Sequence, residues 1–317
     1  MNLMPENGQV GATMKIAIVG SGAMGSLTGG FLKTTGADVH LYSTNREHME
    51  EIRQNGLIID GIGKERVIRI NATTRIEEVG VADLIIIFVK SYDTRAAAAA
   101  ARKIAGKNTF VLTLQNGIGN VEILEELYGK EQVLAGTTDA AANIPAPGRV
   151  RHTAGGNVYI GSPRGAITPK IREIVDLMRA AGFNSQATHN AIGTIWTKLI
   201  LNLAINPPGT ILRTVCRGLI DNDYSRALMA EIVNEALKVA EKKGVRLLHA
   251  DMVQAAYDLA EKNAASQNSM LQDSLKGKKT EIDFMSGAMV KEGEKLGIDL
   301  PVNRAMTNLV KALTLKR

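Results

Sequence analysis

The segment that constrains this chain most is Lys15-Ile16-Ala17-Ile18-Val19, which runs without a break into Gly20-Ser21-Gly22-Ala23-Met24-Gly25. An apolar, β-branched run reads as a strand. G-x-G-x-x-G at its end, opening a helix, is the fingerprint of a dinucleotide-binding turn. Gly20 would make the tight turn, Gly22 would let a pyrophosphate approach the backbone, and Gly25 would let helix and strand pack closely. The helix N-terminus then offers unpaired N–H groups and a positive dipole end to phosphates. Gly20, Ser21, Gly22, Ala23, Met24 and Gly25 are therefore cofactor-binding candidates. The plainer alternative is a purely structural glycine turn, and a second strand about 20 residues on argues against it.

Around this turn, residues 14–186 alternate short apolar runs with helical ones. Strands are predicted at Lys15–Gly20, Asp38–Tyr42, Leu84–Val89, Thr109–Leu114 and Gln132–Ala135. Several are apolar at consecutive positions, as in a parallel sheet covered on both faces, so the class is a doubly wound, Rossmann-type α/β fold. Arg66–Ile70 alternates and is read as pairing with Leu57–Ile59. After a sharp turn at Pro145–Gly148, Val150–His152 and Asn157–Ile160 read as a hairpin joined by Ala154-Gly155-Gly156. A helix over Ile171–Ala181 and a strand over Phe183–Ala187 follow. Beyond His189 strand patterns vanish, and Ile192–Ile205, Tyr224–Lys243, Ala250–Lys262, Ile282–Leu296 and Asn303–Leu315 carry helical spacing. The expected organisation is a flexible extension (1–13), a dinucleotide-binding domain (14–188) and an all-helical domain (189–317).

Other function classes find little support. Lys and Arg exceed Asp and Glu by 38 to 32, spread along the chain, so no nucleic-acid or membrane footprint is visible. The surplus suits anionic ligands, or is simply incidental surface charge. The apolar run Leu84–Val89 is far too short to span a bilayer. Residues 1–13 lack the apolar core of a signal peptide. Cys216 is the single cysteine, which fits a reducing cytoplasm and excludes a cysteine-based zinc cage. No metal site is expected.

The end of the second predicted strand selects the cofactor. A carboxylate there would bind the 2′-hydroxyl of NAD. This chain has Ser43-Thr44-Asn45-Arg46, with no acid before Glu47. Ser43 and Arg46 could instead bind a 2′-phosphate, which favours NADP(H); alternatively Arg46 only caps or solvates the next helix.

In the helical half, Lys198, Asn202 and Asn206 are spaced i, i+4, i+8 and lie along one stripe of an otherwise apolar helix. Buried, they would need partners. Helix capping with a snorkelling lysine is the competing explanation. Pro207 predicts that this helix ends or kinks at Asn206. Further on, Thr280 reads as an N-cap with Asp283 three residues on and Glu281 in the first turn. Spacing alone leaves open whether Glu281 is catalytic.

GSGAMG, FVKS, LQNGIGN, W-x-K-L-x-x-N-x-x-I-N-P and SMLQD followed by TEID stand in the order found in ketopantoate reductases. The chain resembles that family from Met14 to near its C-terminus. The resemblance implies a C-terminal domain like that of 6-phosphogluconate dehydrogenase. It also implies NADPH-dependent reduction of a small 2-keto acid, 2-dehydropantoate, in pantothenate and coenzyme A biosynthesis, by a cytoplasmic homodimer. Carried over, Lys198 is the general acid and Glu281 the substrate-orienting carboxylate, which also lies at the cofactor. Asn202, Asn206 and Ser269 are substrate ligands. Lys90 and Asn116 lie near the nicotinamide and ribose, Asn116 also near substrate. Two departures stand out: the family often has an arginine at the end of the second strand, and some members carry an asparagine where this chain has Cys216. The rival readings are a dehydrogenase of the 6-phosphogluconate or hydroxyisobutyrate type and a non-catalytic NADP(H)-sensing module.

Overall fold

The computed structural model describes residues 14–314; the extension expected over residues 1–13 lies outside them. The chain opens with β1 (Lys15–Val19), α1 (Ala23–Lys33), β2 (Asp38–Tyr42) and α2 (Arg46–Asn55). β3 (Leu57–Gly61), β4 (Arg66–Ile68) and β5 (Asn71–Thr73) follow, then β6 (Ala82–Ile87), α3 (Thr94–Ala101), β7 (Ala105–Thr113), α4 (Asn120–Tyr128) and β8 (Val133–Thr138). β9 (Ala141–Ala146), β10 (Arg149–Ala154), β11 (Asn157–Gly161), α5 (Pro169–Ala180) and β12 (Asn184–Ala187) complete the α/β half.

Eight strands form one sheet in the order β12-β11-β8-β7-β6-β1-β2-β5. The six from β8 to β5 are parallel, as the consecutive apolar runs predict. β11 runs antiparallel to β8 and carries β12 parallel to itself at the edge. Successive side chains point to opposite faces of a strand, and the two faces feed separate cores. Ile16, Ile18, Leu84, Ile86 and Leu112 bury into one, with α1 and α5. Ala17, Val19, Ile85, Ile87 and Val111 bury into the other, with α3 and α4.

A second sheet, β4-β3-β10-β9, covers the outer side of α1. The expected pairing of Leu57–Ile59 with Arg66–Ile70 is there, with Leu57 opposite Ile68. The expected hairpin of Val150–His152 with Asn157–Ile160 is not. β10 pairs with β3 and β9, whereas β11 crosses to the main sheet. The reason lies at Asp139, whose carboxylate accepts from the amides of Gly156 and Asn157 at 2.8 and 2.7 Å. That capture turns the glycine pair into a crossover between sheets.

The remaining elements are helical: α6 (Ala191–Leu212), α7 (Cys216–Ile220), α8 (Asp223–Lys242), α9 (Met252–Lys262), α10 (Ser269–Leu275), α11 (Ser286–Lys295) and α12 (Pro301–Thr314). One expectation is narrowed here and one corrected. Of the two outcomes expected at Asn206, an end is excluded: α6 runs on through Pro207 and Pro208. The prolines leave the carbonyls of Leu203 and Ala204 without helical N–H partners, yet residues 203–210 are all buried, and packing overrides the local preference. The helix expected from Ile282 starts only at Ser286, after a 3-10 turn over Ile282–Phe284. Asp283 pairs with Lys311 at 2.5 Å, and among the described residues Thr280 caps neither this turn nor the helix after it. Among the described residues no helix is long and apolar enough to cross a membrane.

Gly155 tests the crossover. Its φ is +73°, and a Cβ there would lie 2.1 Å from the Asp139 carbonyl oxygen. Gly155→Ala is expected to destabilise the protein by roughly 1–3 kcal/mol, seen as a lower urea midpoint at unchanged slope. An unchanged midpoint would count against this account of the crossover.

Candidate active site

The glycine turn has the geometry of a phosphate cradle. Gly20 has φ +97°, and a Cβ there would strike the Val89 amide at 2.4 Å. At Gly22 a Cβ would meet nothing within 4 Å, so the backbone is open to an incoming group. At Gly25 it would lie 2.4 Å from the Gly20 carbonyl oxygen and 3.1 Å from the Ile18 side chain of β1, so the helix closes tightly on the turn and on the strand before it. The amides of Gly20 and Ser21 both donate to the Tyr42 carbonyl at 3.0 Å, which ties the turn to the end of β2. No side chain caps α1, and Ala23 and Met24 line its partly exposed first turn. These residues fit a dinucleotide pyrophosphate.

At the end of β2, capping of α2 falls to Asn45, whose side chain accepts from the His48 amide. Arg46 is exposed and, among the described residues, forms no ion pair. Ser43 is half-buried and accepts from the Asn45 amide. A cleft of about 620 Å³ opens beside this turn, lined by Arg46, Arg53, Thr73, Thr74 and Arg75 among others. Arg53 and Arg75 are neutralised there by Glu50 and Glu78.

Beyond the end of β6 the two halves of the chain meet. Lys90 donates to Asp273 at 2.6 Å and to Glu281 at 3.3 Å. Glu281 also accepts from the Ser91 amide at 2.9 Å and is 8% exposed. Lys279 stands over the Tyr92 ring at 4.5 Å. Burial works against the Lys90 charge, but Glu281 and Asp273 outweigh it and hold its pKa above the ordinary lysine value. The backbone carbonyl of Asn116 accepts from Ser91 and Asn120, and its side-chain amide has no hydrogen-bond partner among the described residues. Gly117 packs against the Phe284 carbonyl, where a Cβ would lie at 2.3 Å.

Lys198 lies on α6 where that helix crosses β8. Its ammonium donates to the carbonyl of Thr138 at 2.6 Å. Burial pushes its pKa down to about 8, and the charges of Asp139 and Glu281 keep it from falling further. Asn206, one and then two turns beyond Asn202 and Lys198, is 6% exposed, with its amide 4.0 Å from the Met285 sulfur. Asn202 is half-buried, and Ser269 is exposed as the first residue of α10. Neither side chain bonds to a protein group among the described residues. Cys216 is buried at the start of α7 within the helical core.

Sequence reasoning missed four participants. Asp273 stands inside a quoted motif but was given no role, because its partner Lys90 is 183 residues away. Ser91, Thr138 and Asp139 act through backbone groups or sit at strand ends, where residue type alone carries no signal.

Both halves of the chain match known proteins. Residues 16–165 match the profile of the family described as "Ketopantoate reductase PanE/ApbA", and residues 190–314 match its C-terminal counterpart. The 2-dehydropantoate 2-reductase of Pyrococcus horikoshii is 39% identical over 300 residues, covering 94% of this chain and 97% of that protein. The crystal structure of a PanE/ApbA family ketopantoate reductase from Ralstonia eutropha JMP134 superposes with a TM-score of 0.89 at 33% identity, covering 96% and 99% of the two chains. D-mandelate dehydrogenase, solved with NADH and anilino(oxo)acetate, superposes with a TM-score of 0.90 at 30% identity over the same shares. With both halves matched and relatives similar over nearly their whole length, the chain belongs to the ketopantoate reductase family of oxidoreductases.

Proposed function

We propose that this protein is an NADPH-dependent 2-dehydropantoate 2-reductase, reducing ketopantoate to pantoate on the cytoplasmic route to pantothenate and coenzyme A. The observation that carries the reading is Lys198: an ammonium drawn largely out of water on an apolar helix, hydrogen-bonded to a neutral carbonyl at 2.6 Å. Residues 14–188 would hold the cofactor, and residues from 189 onward would supply substrate ligands and a homodimer contact. Gly20 to Gly25 would take the pyrophosphate, Ser43 and Arg46 a 2′-phosphate, and Lys90, Asn116 and Glu281 the nicotinamide ribose end. The absence of an acid at the end of β2, and an Arg46 that forms no ion pair among the described residues, support NADPH.

Reduced nicotinamide, when bound, supplies the hydride that a keto carbon accepts. Lys198 faces the oxygen on which negative charge then grows, stabilises it and delivers a proton. Its lowered pKa makes it a stronger acid than an ordinary lysine while leaving it mostly protonated at neutral pH. Glu281, fixed by Lys90 and the Ser91 amide, orients the substrate hydroxyl and favours the charged form of Lys198. Asn116, Asn202, Asn206 and Ser269 bind hydroxyl and carboxylate without adding charge.

The D-mandelate dehydrogenase likeness favours a second reading, with NADH and an aryl 2-keto acid. Loss of reduced-nicotinamide absorbance separates the two. Ketopantoate with NADPH should turn over faster than the keto acid of mandelate with NADH, and Arg46→Ala should narrow the NADPH-over-NADH preference. Faster turnover of the aryl acid would transfer the assignment.

Lys198→Ala should lower kcat by at least ~100-fold. The wild-type kcat should decline as pH rises through about 8, where Lys198 loses its proton. Near-normal turnover in the variant would remove Lys198 as the acid.

Stability carries the opposite sign. The folded pKa lies below the ordinary 10.5, so the unfolded chain binds more protons between about pH 8 and 10.5. Across that window the contribution of this group to stability rises with pH. Lys198→Met should therefore raise the melting temperature at pH 7, by up to about 3 kcal/mol of stability, with the gain fading by about pH 10.5. A less stable variant at pH 7 would show that the buried charge is not a cost.

A further inference from the structure

His48, on α2, is 1% exposed and is not used by the chemistry proposed above. Its hydrogen bonds can be assigned without ambiguity. The Gly148 amide, which can only donate, reaches Nδ1 at 3.0 Å. Nδ1 is therefore the acceptor, and the ring proton sits on Nε2. Nε2 lies 3.1 Å from the Ser26 hydroxyl and donates to it. The proton of Ser26 then goes to the Ser21 carbonyl, also at 3.1 Å. Ser26 and Ser21 are as buried as the imidazole. Burial pushes the pKa of His48 down, in keeping with a neutral ring.

The relay ends on the middle of the glycine turn. The amide of Ser21 is held by the Tyr42 carbonyl, and its carbonyl by Ser26. Because a peptide unit is planar, pinning that carbonyl fixes the plane that continues into Gly22, the residue left open to a ligand. At its other end the relay starts on the turn between β9 and β10. There Gly148, with φ +72°, packs against Glu51 of α2. The His48 backbone amide meanwhile donates to the Asn45 cap at 3.2 Å, at the start of α2 beside Ser43 and Arg46.

We infer that His48 is a positioning residue for the phosphates of the dinucleotide: through Ser26 it sets the glycine turn relative to the small sheet and to the start of α2. The inference rests on the dinucleotide reading of the glycine turn and is independent of Lys198.

The test is a double-mutant cycle in the full-length enzyme. Wild type, Ser26→Ala, His48→Ala and the double variant are titrated with NADPH and with NADH, following nicotinamide fluorescence. Each single change should weaken binding about tenfold, as loss of a buried hydrogen bond does. The double variant should bind no more weakly than the worse single one, because the relay acts as a unit. At saturating cofactor, kcat and the keto-acid KM should stay within about twofold of wild type. Unchanged cofactor Kd with a lowered melting temperature would overturn the proposal, leaving His48 a packing residue. So would effects that multiply in the double variant. If His48→Ala does not fold, Ser26→Ala alone decides, since it cuts the relay and leaves the imidazole in place. Failure of the wild type to bind either dinucleotide would sink the reading of the turn itself.

Discussion

A helix that is apolar over most of its circumference must be covered over most of it, and α6, with 16 of its 22 residues buried, imposes that requirement on the whole molecule. Its first turns, through Ala191 and Ile195, pack into the core beneath the main sheet. From Trp196 onward it becomes the axis of the helical core, with Leu199, Ile200 and Leu203 fully enclosed. One rigid element is thus shared by both halves. It carries Lys198 to the carbonyl end of β8, where the ligand crevice of a parallel α/β sheet lies. The burial that lowers the pKa of Lys198 follows from the same requirement.

The features legible in the sequence are those whose physics is local. Gly20, Gly22 and Gly25 could be assigned separate tasks because each depends on the few residues around it. The parallel sheet was legible because strands covered on both faces need apolar residues at consecutive positions, and Leu84 to Ile87 have them. What could not be read depends on a distant partner. Gly155-Gly156 reads as a hairpin turn until the carboxylate of Asp139 is in place to claim the amides that follow. Pro207 leaves open whether the helix ends until the enclosure of residues 203–210 is known. The four-stranded sheet over α1 joins strands far apart in the chain, and short segments such as Ala141–Ala146 carry no strong pattern of their own.

The candidate site divides in the same way. Helical spacing puts Lys198, Asn202 and Asn206 on one stripe, but it left helix capping open as an explanation, and their proposed roles come from the family resemblance. Glu281 had two explanations, and the local one fails: no side-chain cap forms at the 3-10 turn it precedes, while its carboxylate crosses to Lys90 and Ser91. Those contacts span about the same stretch of chain as the Lys90–Asp273 pair. Together with the Lys279–Tyr92 and Gly117–Phe284 contacts, they dock two loops of the α/β half onto the segment 273–284.

The two lysines at this junction have opposite electrostatic environments, and the difference bears on their division of labour. Lys90 sits between two carboxylates, which overcome its burial and hold it charged. A proton on it is costly to give up. Lys198 is drawn out of water against a neutral carbonyl, with its carboxylates acting only from further away, so its proton is held weakly. Environments that push like groups apart in pKa are how a single site separates a fixed charge from a transferable proton. Under the proposed chemistry, Lys90 is suited to binding and to fixing Glu281, and Lys198 is the lysine whose proton can leave at neutral pH.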